Sequence, residues 1–70
     1  MEMIPVRSSH IAAIGYDSRN TTLKVEFLDG GLYEYYGISE MIFNDFKNAG
    51  SKGIFFDRNI KKGGYQVRKL

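Results

Sequence analysis

The apolar and polar positions alternate most cleanly between residues 23 and 36. There Leu23-Lys24-Val25-Glu26-Phe27 and Leu32-Tyr33-Glu34-Tyr35-Tyr36 flank one turn signal, Asp29-Gly30. Successive side chains of a strand leave opposite faces, so Leu23, Val25 and Phe27 share an apolar face while Lys24 and Glu26 point the other way. Asp and Gly are residue types that tolerate a left-handed backbone in a tight turn. A two-residue turn at Asp29-Gly30 would set Val25 opposite Glu34 and place a carboxylate on the apolar face. A three-residue loop, Leu28-Asp29-Gly30 with Gly30 left-handed, instead sets Val25 opposite Tyr33, Leu23 opposite Tyr35 and Lys24 opposite Glu34. Opposite charges then pair on the wet face. The second register is the one expected, because a slip of one residue exchanges the two faces. It puts Tyr33 and Tyr35 under a covering helix, against Leu23, Val25, Phe43 and Phe46, and turns Leu32 and Tyr36 outward.

The rest of the chain reads around this hairpin. Residues 1–7 form an irregular lead-in, with Pro5 keeping Ile4 out of helix. Residues 8–16 make a first strand whose alternation is blurred at Ala12-Ala13, and Asp17-Ser18-Arg19-Asn20 turns it back into the hairpin. Three consecutive antiparallel strands form a meander with one face to cover. Ser39 supplies an N-cap, Glu40 suits the positive end of a helix, and Ile38 is placed to staple onto Phe43. Ile42, Phe43, Phe46 and Ala49 follow at helical spacing, and Gly50 ends the helix. A second, shorter helix starts at Ser51 and ends near Ile60, before Gly63-Gly64; residues 65–70 alternate like a short strand. The expected fold is α+β: a three-stranded antiparallel meander covered by one longer and one short helix, with a terminal extended segment. One domain spans residues 8–70.

Composition narrows this little. Seventy residues, 43% of them hydrophobic, make one small core, and ten Phe and Tyr residues must fill it. A core of this size supplies a net stability of about 3–5 kcal/mol. With no cysteine there is no disulfide, thiolate chemistry or cysteine-based zinc site. No apolar run nears the ~20 residues of a membrane span, and the N-terminal residues lack a signal pattern, so a cytoplasmic protein with no membrane partner is expected. The net charge of +2 is unevenly spread. Residues 1–46 carry three basic and seven acidic side chains, whereas residues 47–70 carry seven basic ones against Asp57 alone. Such a separation creates a field that anions feel.

Catalytic and metal-binding constellations do not emerge. His10 is the sole histidine, with no ligand partner at metal-binding spacing, and Asp17, Asp29 and Glu34 fall in separate turns or strands. A non-enzyme without cofactor or metal is expected. Ser51-Lys52-Gly53, at a helix start, joins a capping serine to a lysine and a glycine, which suits either simple capping or a phosphate. Arg58, Lys61, Lys62, Arg68 and Lys69 extend it into a basic strip if the tail folds back beside the second helix. Tyr33 and Tyr35 are core aromatics in the favoured register and a base-stacking platform in the other.

Taken together, Ser8-Ser9 with Ile11, Gly15-Tyr16-Asp17, then Leu23, Val25, Phe27, Gly30 and Tyr33-Glu34-Tyr35, followed by Ala49, Ser51, Gly53, Phe56, Ile60 and Tyr65, resemble the KTSC domain family. That family is named for a domain at the C-terminus of some lysyl-tRNA synthetases and also occurs alone in small bacterial proteins. The chain departs from it at His10, where Asn is frequent, and at Ser39, where Pro is common. The resemblance implies RNA binding through the attachment to a synthetase, and implies nothing about catalysis. The leading expectation is a non-catalytic module that binds RNA or other nucleic acid through Ser51, Lys52, Gly53, Arg58, Lys61, Lys62, Arg68 and Lys69. The alternative is a protein-interaction module or small inhibitor that uses the exposed sheet face with Leu32 and Tyr36.

Overall fold

The computed structural model describes residues 2–70; Met1, the first residue of the expected lead-in, lies outside the described residues. The hairpin pairs β3 (Thr22–Phe27) with β4 (Leu32–Tyr36), setting Val25 opposite Tyr33, Leu23 opposite Tyr35 and Lys24 opposite Glu34. Its loop closes through Phe27 N–H to the Gly31 carbonyl (2.8 Å), and Gly30 has a φ of 95°, the left-handed backbone that a three-residue loop demands.

Five strands, rather than three, make up the antiparallel sheet, in the order β1-β2-β3-β4-β5. Part of the lead-in is strand β1 (Met3–Pro5), which pairs with β2 (Ile11–Asp17) and sets Pro5 opposite Ala13. Proline has no N–H to give a ladder, and β1 accommodates it because it lies at the edge of the sheet. The tail is β5 (Val67–Lys69), paired with β4 at the other edge, with Arg68 opposite Glu34 and Lys69 opposite Tyr33. The first full strand starts at Ile11, later than expected. A β-bulge between Ile11 and Ala13 accounts for the blurred alternation: the register with β3 steps from Ile11–Phe27 to Ala13–Glu26. The extra residue lets Ile11 and Ile14, three apart, both be fully buried.

Helix α1 (Glu40–Asn48) covers one sheet face, with Phe43 and Phe46 buried. The Ser39 hydroxyl accepts the Ile42 N–H at 3.2 Å, the expected N-cap, and Ile38 joins the core with Phe43. The helix stops one residue earlier than expected. Ala49 is extended with a ψ of 140°, and the Lys52 ammonium donates to its carbonyl at 2.6 Å, so a cation and not a left-handed Gly50 closes this end.

The second helix begins as α2 (Lys52–Phe55), capped by the Ser51 hydroxyl, and widens into a π-helical turn over Phe56–Lys61. The bond from Lys62 N–H to the Asp57 carbonyl (3.3 Å) spans the five residues that define that form. Phe56 and Ile60 are buried on its inner side. The core lies between the sheet and these helices, and its largest fully enclosed side chains include Phe46, Ile11, Ile14 and Leu23.

The aromatic layer differs in detail from the sequence expectation. Tyr16, not a residue of β4, stacks on Phe43 of α1, with centroids 4.8 Å apart and planes 12° from parallel, and its hydroxyl donates to the Ile38 carbonyl at 2.6 Å. Tyr35 meets Phe56 edge-to-face at 5.5 Å, and Tyr33 meets Phe27 likewise at 5.5 Å. Tyr35 thus packs on the second helix and Tyr33 on β3, and neither ring pairs with an aromatic ring of α1. Among the described residues no helix is long and apolar enough to cross a membrane.

Candidate functional site

A groove of about 820 Å³ opens between the start of β2 and the second helix. Three stretches of chain build it: residues 7–11, residues 50–54, and the π-helical turn, which contributes Asp57, Arg58 and Lys61. Phe27 and Phe56 meet edge-to-face at 5.4 Å within its lining, and with Ile11 and Ile54 they give it an apolar share beside the polar and charged side chains.

Local chemistry sets each wall. Ser8 folds residues 8–11 into a tight bend: its hydroxyl oxygen accepts the His10 N–H at 3.2 Å and the Ile11 N–H at 3.3 Å. Such serine-to-backbone bonds compete with strand pairing, which is why β2 begins only at Ile11. The Ser9 hydroxyl and His10 Nδ1 are 2.9 Å apart. On the opposite wall, Gly53, Asp57 and Lys61 recur at intervals of four residues, while Phe56 and Ile60 of the same turn point into the core. The wide π turn keeps both sets in register, and π-helical segments of this kind are frequent at functional sites.

Positive charge dominates the lining. Arg7, Lys52, Arg58 and Lys61 contribute cations, and Asp57 is the one acidic residue among them. Lys62 lies 3.5 Å from the Asp57 carboxylate, so that acid is already countered from outside the groove. The pair is too exposed to contribute more than about 1 kcal/mol to stability, but among the described residues it leaves Arg7, Arg58 and Lys61 without a carboxylate partner, while Lys52 is held by the Ala49 carbonyl.

Of the residues singled out from sequence, Ser51, Lys52, Gly53, Arg58 and Lys61 come together here. Ser51 caps the helix and Lys52 holds the Ala49 carbonyl, the structural roles that the sequence offered for this triplet. Lys62 turns to Asp57, while Arg68 and Lys69 lie on β5 in the sheet and do not line the groove; the tail does not lie along the second helix as a basic strip. Arg7, Ser8, Ser9 and His10 were not anticipated in the groove. The readable signal for them was Ser8-Ser9, a polar pair ahead of the apolar run that favours a turn over a strand.

Tyr35 is buried, with 8% of its surface exposed, and burial raises its phenol above the usual tyrosine range. Tyr33 is half-buried at the border of the core. Neither ring lines the groove. Leu32 and Tyr36 fall on the sheet face turned away from the helices, both half-buried. The Tyr36 hydroxyl donates to a Glu34 carboxylate oxygen at 2.9 Å, and that bond raises its phenol. A smaller hollow of about 410 Å³ beside it is lined by Asp17, Asn20, Thr22, Glu34 and Tyr36, a set of opposite charge to the main groove. Among the described residues no cluster of His, Asp or Glu is arranged to hold a metal ion.

Comparison with known proteins finds that the family model of the KTSC domain matches residues 7–65, a span that contains every residue of the main groove. The crystal structure of a KTSC domain protein from Yersinia pestis superimposes with a TM-score of 0.93 at 43% identity, covering 99% of this chain and 96% of that one. An uncharacterized protein from Stutzerimonas stutzeri is 30% identical over 70 residues, covering 100% of this chain and 99% of its own length. A lysine–tRNA ligase from Nostoc punctiforme is 34% identical over 68 residues; the match takes in 97% of this chain but 12% of the ligase.

Proposed function

The chain belongs to the KTSC domain family, and from the groove that it carries within the family's span we propose that it is a small non-catalytic module that binds nucleic acid, RNA foremost, by its phosphate backbone. One observation carries this reading: Arg7, from the start of the sequence, joins Arg58 and Lys61 of the π-helical turn at one groove whose single carboxylate is paired from outside. Concentrating cations in a cleft raises the local concentration of a polyanion, and serine hydroxyls add neutral donors for phosphate oxygens. The similarity to a segment of lysine–tRNA ligases, proteins that act on a tRNA, supports RNA as the ligand.

Few phosphates fit such a groove, so affinity is modest and depends on salt, with log K falling by about 0.7 per phosphate contacted for each log unit of salt on a single strand. Titrating labelled single-stranded RNA and duplex DNA into the protein at two salt concentrations tests this. We expect RNA binding at low salt that weakens at high salt, is lost in an Arg58→Glu, Lys61→Glu double variant and survives Tyr36→Ala. Absence of binding to both nucleic acids at low salt removes the reading. Loss of binding in Tyr36→Ala with retention in the double variant moves the interface to the sheet face of Leu32 and Tyr36.

A further inference from the structure

We infer that the groove seats an unpaired base as well as phosphate: one base of the bound strand lies against Phe27 and Ile54, which makes single-stranded RNA, and not a duplex, the ligand. The inference rests on the nucleic-acid reading above and adds to it the class of strand that the groove accepts.

Phosphate accounts for only part of this lining. Of its apolar residues, Ile11 and Phe56 are buried in the core, whereas Phe27 is half-buried and Ile54 is 55% exposed. A single exposed hydrophobic residue needs no explanation in itself. Leu28, Met41, Val67 and Leu70 are others, and none of them lines the groove. Ile54 differs because it shares a cleft with an accessible aromatic ring and with unpaired cations. The ring is held in place: Phe27 meets Phe56 edge-to-face, and the Leu28 N–H beside it donates to the His10 carbonyl at 2.8 Å, tying the hairpin loop to the groove wall.

Helical spacing sets these chemistries side by side. Ile54, Asp57, Arg58 and Lys61 follow one another at steps of three or four residues and all line the groove, while Phe56 and Ile60 of the same segment are buried in the core. An apolar contact therefore comes first along this side and the two cations follow it. Asp57, between Ile54 and the cations, is a poor neighbour for phosphate, a second sign that this part of the groove receives something else. A nucleotide has the matching halves, a flat base with an apolar face and an anionic phosphate. In a duplex the bases are paired and stacked on one another, so a groove reaches only the backbone. In an unpaired strand a base can turn out onto an apolar side chain while its phosphates stay near the cations. The groove volume of about 820 Å³ falls within the range of about 300–1,000 Å³ of pockets that enclose whole small molecules, so base and phosphate both have room.

The test compares wild type with Ile54→Ser and Ile54→Phe at low salt against labelled forms of one short RNA: the single strand, the same strand annealed to its complement, and the same sugar–phosphate strand made without bases. Wild type is expected to bind the base-bearing single strand about tenfold more tightly than either of the other two. Ile54→Ser is expected to lose most of that advantage while its affinity for the base-free strand and its Tm change little, because the side chain is more than half exposed. Ile54→Phe, which offers a larger flat surface, is expected to widen the advantage. Equal wild-type affinity for the base-bearing and base-free strands overturns the base seat and leaves the phosphate reading intact. Full retention of the advantage in Ile54→Ser, or tighter wild-type binding of the duplex than of the single strand, also overturns it. Wild type that binds none of the three ligands removes the nucleic-acid reading and this inference together.

Discussion

Tyr33 and Tyr35 leave β4 on the same face, two residues apart, yet only Tyr35 is enclosed. Its ring meets Phe56 edge-to-face and sits within the main core cluster, whereas Tyr33 packs on Phe27 at the border with part of its surface in water. Removing a buried aromatic costs about 3–5 kcal/mol, as much as the whole net stability of a domain this small. Tyr35→Ala is therefore expected to abolish cooperative thermal unfolding followed by circular dichroism. Tyr33→Ala forfeits chiefly one edge-to-face pair and a partial burial, about 1–2 kcal/mol, and should melt cooperatively at a lower temperature. Equal losses for the two variants would contradict the difference in burial. The alternation of the strand gave both rings the same face from sequence, which is correct. It carries no information about depth, because depth depends on what the opposite layer places above each position, and here that is Phe56 from the far end of the chain.

Elements specified by neighbouring residues were readable, and elements specified by distant partners were not. The hairpin belongs to the first kind: its two alternating runs admit one register that keeps Glu34 off the apolar face, and Gly30 supplies the backbone that this register needs. A Cβ at Gly30 would meet nothing within 4 Å, so only its φ of 95° penalises a side chain there. Gly30→Ala should accordingly destabilise the domain by about 1–3 kcal/mol in denaturant titration, with no effect on the m-value; an unchanged midpoint would mean that the loop can adopt another form. Strand β1 belongs to the second kind: it is three residues long, too short for a period to appear, and is a strand only because a neighbouring edge offers it hydrogen bonds. Strand β5 stands between the two, since the alternation of residues 65–70 announced an extended segment but not its place beside β4. The π-helical turn is also hidden, since the spacing of Phe56 and Ile60 suits an α-helix equally well and the extra residue is accommodated by packing. The same division applies to the groove. Ser51, Lys52, Gly53, Arg58 and Lys61 lie within eleven residues and could be grouped by eye, while Arg7, Ser8, Ser9 and His10 reach them only through the folding of β2 against the second helix.

At the scale of the whole molecule, both sheet edges are guarded against further pairing, by Pro5 on β1 and by Arg68 and Lys69 on β5. The charge asymmetry of the sequence becomes a spatial one, with a cationic groove at the helix side and an acidic hollow of Asp17 and Glu34 near the other end of the strands. The tyrosines add a linked response to pH. Tyr35 is raised above the usual phenol range by burial. Tyr16 is raised by burial and then by the nearby carboxylates of Glu40 and Asp17. Tyr36 is raised chiefly by its hydrogen bond to Glu34, which ionisation would replace with two facing negative charges. In the unfolded chain all three release their protons near the ordinary value of about 10. The folded state holds those protons to higher pH, so the stability they contribute is complete below about pH 10 and is lost as pH rises through the folded values. We expect Tm to be insensitive to these groups from neutral pH to about 9 and to fall steeply above about 10, with tyrosinate absorbance rising late and together with unfolding. Tyr36→Phe removes one of the three linked protons and should make the alkaline fall shallower. A Tm that stays level through the alkaline range, or tyrosinate absorbance that develops fully while the fold remains intact, would show that these phenols ionise without opposing the native packing.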